Sequence, residues 1–186
     1  MRIEEIKLNK KRYLPLLLLA DEQEDMVERY LDKGIMYVLI DNGVKSECII
    51  TDEGNGILEI KNIATVPNYQ GRGYGKALID FVAKKYKKRY SVLQVGTGDS
   101  PLTIPFYEKC GFSRSHNIKN FFVDNYDHPI YEYGILLMLS WAVMISLCHA
   151  VMRLPGYLSW NVPFDGAAVR PITKGISSCI HALPAL

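Results

Sequence analysis

The sequence has little that could bind a metal or staple a fold. Its four cysteines, Cys48, Cys110, Cys148 and Cys179, are widely separated, with no C-x-x-C pair and no neighbouring histidine pattern suited to zinc. That spacing argues against a disulfide scaffold and a metal site, and reads as reduced thiols in a cytoplasmic protein. Charge of one sign is also missing. With 22 basic and 20 acidic residues the net charge is +2, too weak a field to recruit nucleic acid. The apolar run at 14–20 follows acids and precedes no small-residue cleavage site, so it is not expected to be a signal peptide. Internal repeats and low-complexity tracts are absent as well.

What is present is enough for one domain with a real core: 186 residues, 48% of them hydrophobic. Charge is unevenly spread along the chain. Residues 134–186 contain three basic residues, Arg153, Arg170 and Lys174, and one acid, Asp165. Residues 1–133 therefore read as the domain and 134–186 as a tail of a different kind.

Within the domain, "RIEEIKL" alternates like an edge strand, and 14–20 suits a short buried helix. Asp21 with Glu24 resembles a capping box for a second helix, whose face is Met26, Val27, Tyr30 and Leu31 and whose stop is Gly34. "IMYVLI" and "VKSECIIT" form a hairpin through Asn42-Gly43, both of which tolerate positive φ. "GILEIKNIATV" is the expected central strand. A helix then carries Tyr74, Leu78, Phe81, Val82 and Tyr86 on one face, "SVLQVGTG" is a strand, Ser100-Pro101 opens another helix ending at Gly111, and "FSRSHNIKNFFV" is one more strand. Hairpins followed by alternating strands and helices predict an α+β fold with α/β/α layers.

The segment "YQGRGYGKALIDF" places Gly71, Gly73 and Gly75 at the mouth of the third helix. Such a turn aims unpaired backbone N–H groups at one spot, where the helix dipole adds partial positive charge, and makes an anion cradle with Arg72 and Lys76 at its rim. Two familiar phosphate loops are excluded. No Ser or Thr follows Lys76, as a P-loop requires, and the third glycine of G-x-G-x-x-G is missing. A merely convenient tight turn remains the competing reading of this segment taken alone.

Taken together, "IATVPNYQGRGYGKAL" and "IPFYEKCGF" resemble the GNAT superfamily of N-acetyltransferases. Gln70, Gly73 and Gly75 match its acetyl-CoA loop Q/R-x-x-G-x-G/A, the second segment matches its "FYxKxGF" pattern, and the likeness extends over about residues 1–130. The resemblance implies a twisted, mostly antiparallel sheet flanked by helices, with a central parallel strand pair splayed into a V. It also implies acetyl-CoA as cosubstrate. The pyrophosphate would lie on the loop of Gln70, Gly71, Arg72, Gly73, Tyr74, Gly75 and Lys76, and the pantetheine arm would pair with Ile63, Ala64, Thr65 and Val66. Ser100 stands where many members place an Asn that touches the CoA arm.

Acetyl transfer to a primary amine needs a base, because lysine-like amines have a pKa of about 10.4. Glu59, eleven residues before Gln70, matches the general-base glutamate of the histone-modifying branch, and a plain solvated strand glutamate is the alternative. Tyr107 matches the tyrosine that protonates the CoA thiolate, against an aromatic simply packed beside Phe106. The Ile63 N–H is where the resemblance places carbonyl polarisation. Asp124, Tyr126 and Asp127 lie in an acidic, aromatic segment suited to a cationic amine, equally readable as a strand-end loop, while His128, just before Pro129, is a weaker base candidate. These features imply an N-acetyltransferase working by direct attack in a ternary complex, with a non-catalytic acyl-CoA-binding module as the alternative. Aminoglycosides, polyamines, amino-acid derivatives and protein amines all remain open as acceptors.

The tail begins with nineteen uncharged residues at 134–152. "GILLMLSW" reads as a last strand of the sheet. For the remainder, a membrane span is disfavoured by Ser140, Ser146, His149 and the missing flanking pattern. Packing on the domain or on a homodimer mate is a second reading, and a non-native origin through a reading-frame change a third, favoured by the abrupt shift in composition.

Overall fold

A computed structural model describes residues 1–21, 23–101, 103–126, 131–132, 135–136 and 140–147. Strand β1 (Arg2–Ile6) is followed by a 3-10 turn, Lys10–Tyr13, then α1 (Leu14–Leu17) and α2 (Glu24–Leu31). Next come β2 (Ile35–Ile40), β3 (Val44–Gly54) and β4 (Ile57–Thr65), then α3 (Tyr74–Tyr86), β5 (Val92–Gly98) and α4 (Thr103–Lys109). β6 (Ser113–Lys119) and α5 (Phe121–Asn125) precede the short pair β7 (Tyr131–Glu132) and β8 (Ile135–Leu136), and β9 (Ser140–Leu147) ends the series.

Seven strands form one sheet in the order β1-β2-β3-β4-β5-β9-β6. Every pairing is antiparallel except that of β4 with β5. The two faces bury different sets of side chains, as alternation along a strand requires. Leu78, Ile79 and Val82 of α3 and Tyr107 of α4 pack on Cys48, Ile50, Ile60 and Ile63. Leu17 of α1 and Val27, Tyr30 and Leu31 of α2 pack on Met36, Val38 and Ile49 from the other side. The layered α+β architecture is thus the expected one. The β2–β3 hairpin turns through Asn42 and Gly43 at φ 50° and 96°.

Four local expectations are corrected. α1 ends at Leu17, short of residue 20. Asp21 is not a helix cap: the cap position of α2 is Gln23, with no side-chain cap bond, and Asp21 is buried, accepting from the Tyr30 and Tyr126 hydroxyls at 3.4 Å each. β6 stops at Lys119, because Asn120 takes φ 56° and "FFVDN" coils into α5. The strand that completes the sheet is Ser140–Leu147 and not 134–141, since its pairing partners Val92 to Gly98 and Ser113 to Lys119 align with that window. The same window, being strand, cannot be part of a spanning helix, and no helix among the described residues is long and apolar enough to cross a membrane. Residues 148–186 lie outside the described residues.

Candidate active site

β4 carries one residue too many for its partner. Ile49 pairs with Asn62 but Ile50 pairs with Ile60, so Lys61 is the extra residue of a β-bulge. Bulges bend their strand and sharpen its twist. The parallel ladder between β4 and β5 ends at this place, with Ile60 opposite Val95, although β4 runs on to Thr65 and β5 to Gly98. Beyond Val95, β5 stays paired with β9 through Gly98, while among the described residues Asn62 to Thr65 pair with β3 alone. The strands therefore diverge into a V whose β4 wall is the edge containing Ile63, Ala64 and Thr65. Backbone groups on such an edge need partners, and an amide-bearing arm can supply them.

At the end of that wall the chain turns over a short 3-10 segment, Pro67–Tyr69, and Val66 N–H donates to the Lys45 carbonyl at 2.9 Å. Gln70 Nε2 donates to the Thr65 carbonyl at 3.2 Å, tying turn to strand. Gly73 caps α3 in the left-handed conformation at φ 84°, where a Cβ is penalised, and as a glycine it brings no side-chain cap bond of its own. Gly75 is buried, and a Cβ there would meet Phe106 at 3.4 Å and Thr65 Oγ1 at 3.5 Å. Gly71, Arg72 and Gly73 are exposed, so the helix N-terminus opens to solvent. Two cations flank it over one ring: Lys45 Nζ lies 3.7 Å and the Arg72 guanidinium 5.2 Å from the Tyr69 centroid. Tyr74 donates to Asp41 at 2.8 Å, and Lys76 is engaged with Asp80 at 2.8 Å one helical turn on.

Glu59 sits one residue before the divergence, opposite Gln94, on the face away from α3. It is buried at 1% exposure, with Gln94 Nε2 donating to one carboxylate oxygen at 2.6 Å and the Lys61 ammonium ion-paired with the other at 2.9 Å. Burial raises its pKa above the ordinary carboxylate value, and the Lys61 ammonium opposes the rise. Tyr107 belongs to the core on the other face of the sheet: it is fully buried on α4, with edge-on contacts to Phe106 at 5.1 Å and Phe112 at 5.7 Å. Ser100 is buried at the end of β5, its carbonyl accepting from Ile104 N–H at 3.2 Å. Tyr126 and Asp124 do not converge. Packing of Phe121 and Tyr126 on Met26 and Val143 turns Tyr126 inward and leaves Asp124 exposed; Asp127 and His128 lie outside the described residues.

Sequence reasoning missed Lys61, Gln94 and the buried polar group of Asp21, Glu47 and Asn62 on the α1/α2 side. The available signal was a charged pair, Glu59 and Lys61, inside a strand with both faces covered. Among the described residues no group of His, Cys, Asp or Glu could hold a metal ion.

Comparison with known proteins agrees with this arrangement. The acetyltransferase (GNAT) domain family matches residues 32–114. An uncharacterised N-acetyltransferase of Bacillus subtilis (strain 168), YvbK, is 33% identical over 138 residues, covering 73% of this chain and 89% of that protein. A GNAT family acetyltransferase from Elizabethkingia anophelis, solved with acetyl-CoA bound, superimposes with a TM-score of 0.72 at 32% identity over 78% of this chain and 97% of that one. A Bacillus subtilis acetyltransferase solved with CoA gives 0.71 at 30% identity, with the same coverage of 78% and 97%. With an open glycine turn, a strand pair that parts at a bulge and relatives of this similarity, the chain belongs to the GNAT superfamily of acetyltransferases.

Proposed function

We propose that this acetyltransferase uses acetyl-CoA to acetylate a primary amine by direct attack in a ternary complex. The observation that carries the reading is the parting of β4 and β5 at Ile60 and Val95 beside an open helix N-terminus. The turn from Gln70 to Lys76 holds the diphosphate on main-chain N–H groups, with Lys45 and Arg72 adding positive charge at its edge. The pantetheine arm pairs along Ile63 to Val66, which delivers the thioester into the V. Acetyl-CoA or CoA bound to the relatives above supports that cosubstrate.

Glu59 and Tyr107 lie on opposite faces of the sheet, which suits a reaction with an entering amine and a departing thiolate. Glu59 takes a proton from the ammonium through water. Its raised pKa brings the carboxylate nearer to working pH, where a general base is most effective. The neutral amine attacks the thioester carbonyl, the Ile63 N–H stabilises the developing oxyanion, the C–S bond breaks as Tyr107 gives its phenolic proton to the sulfur, and the extra proton on the attacking nitrogen leaves through water to restore the phenol. The products are an N-acetyl amine and CoA.

The test is release of CoA thiol, followed with DTNB, across a panel of polyamines, aminoglycosides, amino acids and lysine peptides. Turnover with at least one amine is expected, and acetyl-CoA binding with no turnover on any of them would overturn the reading. Interference from the protein's own described thiols is small: Cys48 is buried, and burial pushes the half-buried Cys110 thiol up to about 11.

A further inference from the structure

Lys61 has no obvious reason to be where it is. It is 2% exposed, in a strand covered on both sides, where an ammonium is costly unless it is paired. The bulge places both Lys61 and Asn62 on the α1/α2 side of the sheet, since Asn62 bonds the Leu17 carbonyl and the Tyr30 hydroxyl while Lys61 meets Glu59. Two carboxylates share its charge: Glu59 at 2.9 Å and Glu53 of β3 at 3.1 Å. The three groups carry one more negative charge than positive, at the point where the sheet opens. A pair built for stability would need only one acid.

We propose that Lys61 is a positioning residue that keeps Glu59 in the carboxylate form needed to accept a proton, and that Glu53 weakens this hold by competing for the same ammonium. The inference rests on reading Glu59 as the general base. Among the described residues, the charged and hydrogen-bonding groups acting on Glu59 are Lys61 on its own strand, Glu53 from β3 and Gln94 from β5. Gln94 and Lys61 engage different oxygens of the carboxylate, so the group is oriented as well as charged. Glu53 is 16% exposed and accepts from the Thr51 hydroxyl, so a neutral amide there keeps the local bonding while removing the competing charge.

The experiment combines Glu59→Gln, Lys61→Met and Glu53→Gln in the full-length protein. Two readouts are taken: the pH profile of kcat/KM on the best amine of the panel, and a carbon-13 NMR titration of glutamate carboxyls in which the Glu59 signal is the one missing from E59Q. In K61M the Glu59 titration and the acid limb of the profile are expected to move together to higher pH, so that the rate below the limb falls by about tenfold or more. In E53Q both are expected to move to lower pH. A purely structural ion pair would move the Glu59 titration in the same two directions but leave the rate profile where it is. An unmoved Glu59 titration in E53Q overturns the proposal even if K61M fails to fold, as does a Glu59 titration that moves without the rate profile. Unimpaired turnover in E59Q overturns the base reading itself, and with it the role given to Lys61.

Discussion

At the scale of single residues, two side chains allow sharp tests. Tyr107→Phe removes only a hydroxyl from a ring held between Phe106 and Phe112, so packing survives. The expected result is a fall in kcat of about a hundredfold or more with acetyl-CoA affinity unchanged by calorimetry, and an unchanged kcat would remove Tyr107 from the mechanism. Glu47 concerns stability. Its carboxyl is fully buried on β3, and among the described residues neither oxygen has a hydrogen-bond partner in good geometry. Burial holds its pKa well above the carboxylate range, and the Ala64 amide opposes the rise. Since the folded value exceeds the unfolded one, Glu47 favours folding fully below the unfolded carboxylate pKa, and that contribution is lost as pH rises through the folded value. Glu47→Gln should flatten the fall in stability above about pH 4.5, read as Tm against pH. Residue-scale chemistry was only half legible in the sequence. The glycine turn and Tyr107 lie in contiguous motifs, whereas the partners of Glu59 come from three strands and depend on register.

At the scale of elements, the helix termini are where the fold and the candidate site meet. Gly73→Ala forces a Cβ into the left-handed region at φ 84°, a cost of about 1 kcal/mol at the mouth of α3. A lower Tm together with a several-fold weaker CoA Kd is the expected outcome; an unaltered Kd would mean that the turn does not grip the diphosphate. On the opposite face Lys10 donates to the carbonyls of Leu31 at 2.7 Å, Asp32 at 3.1 Å and Gly34 at 2.6 Å, closing the end of α2 from a segment earlier in the chain. Lys10→Met should cost about 1 to 2 kcal/mol in urea unfolding, and no change would show that water caps those carbonyls equally well. Element types followed from periodicity and turn residues, which act over a few positions. Boundaries failed where a distant group outcompeted the local rule. Asp21 answers two tyrosine hydroxyls instead of capping α2, and "FFVDN" coils because Phe121 finds Met26 and Val143.

At the scale of the whole molecule, β9 is the piece on which the sheet depends. It lies between β5 and β6 and pairs with both along most of its length, although it is last in sequence among the seven. A chain ended before Ser140 loses both ladders and should fail to yield soluble folded protein, whereas one ended after Leu147 retains every pairing of the sheet. Circular dichroism of the two truncations separates these outcomes, and a folded shorter form would contradict the central role of β9. From the amino-acid order alone came the strand and helix types, the glycine turn entering α3 and the resemblance carried by two short motifs, because each rests on interactions between near neighbours in the chain. Only the tertiary structure decided which eight-residue window becomes β9, where β4 and β5 part, and that Glu59 shares a buried ammonium with Glu53. Those outcomes depend on strand register, and register is set by how a bulge at Lys61 and a late strand on the far edge of β5 satisfy backbone bonds together, a competition that no local stretch of sequence contains.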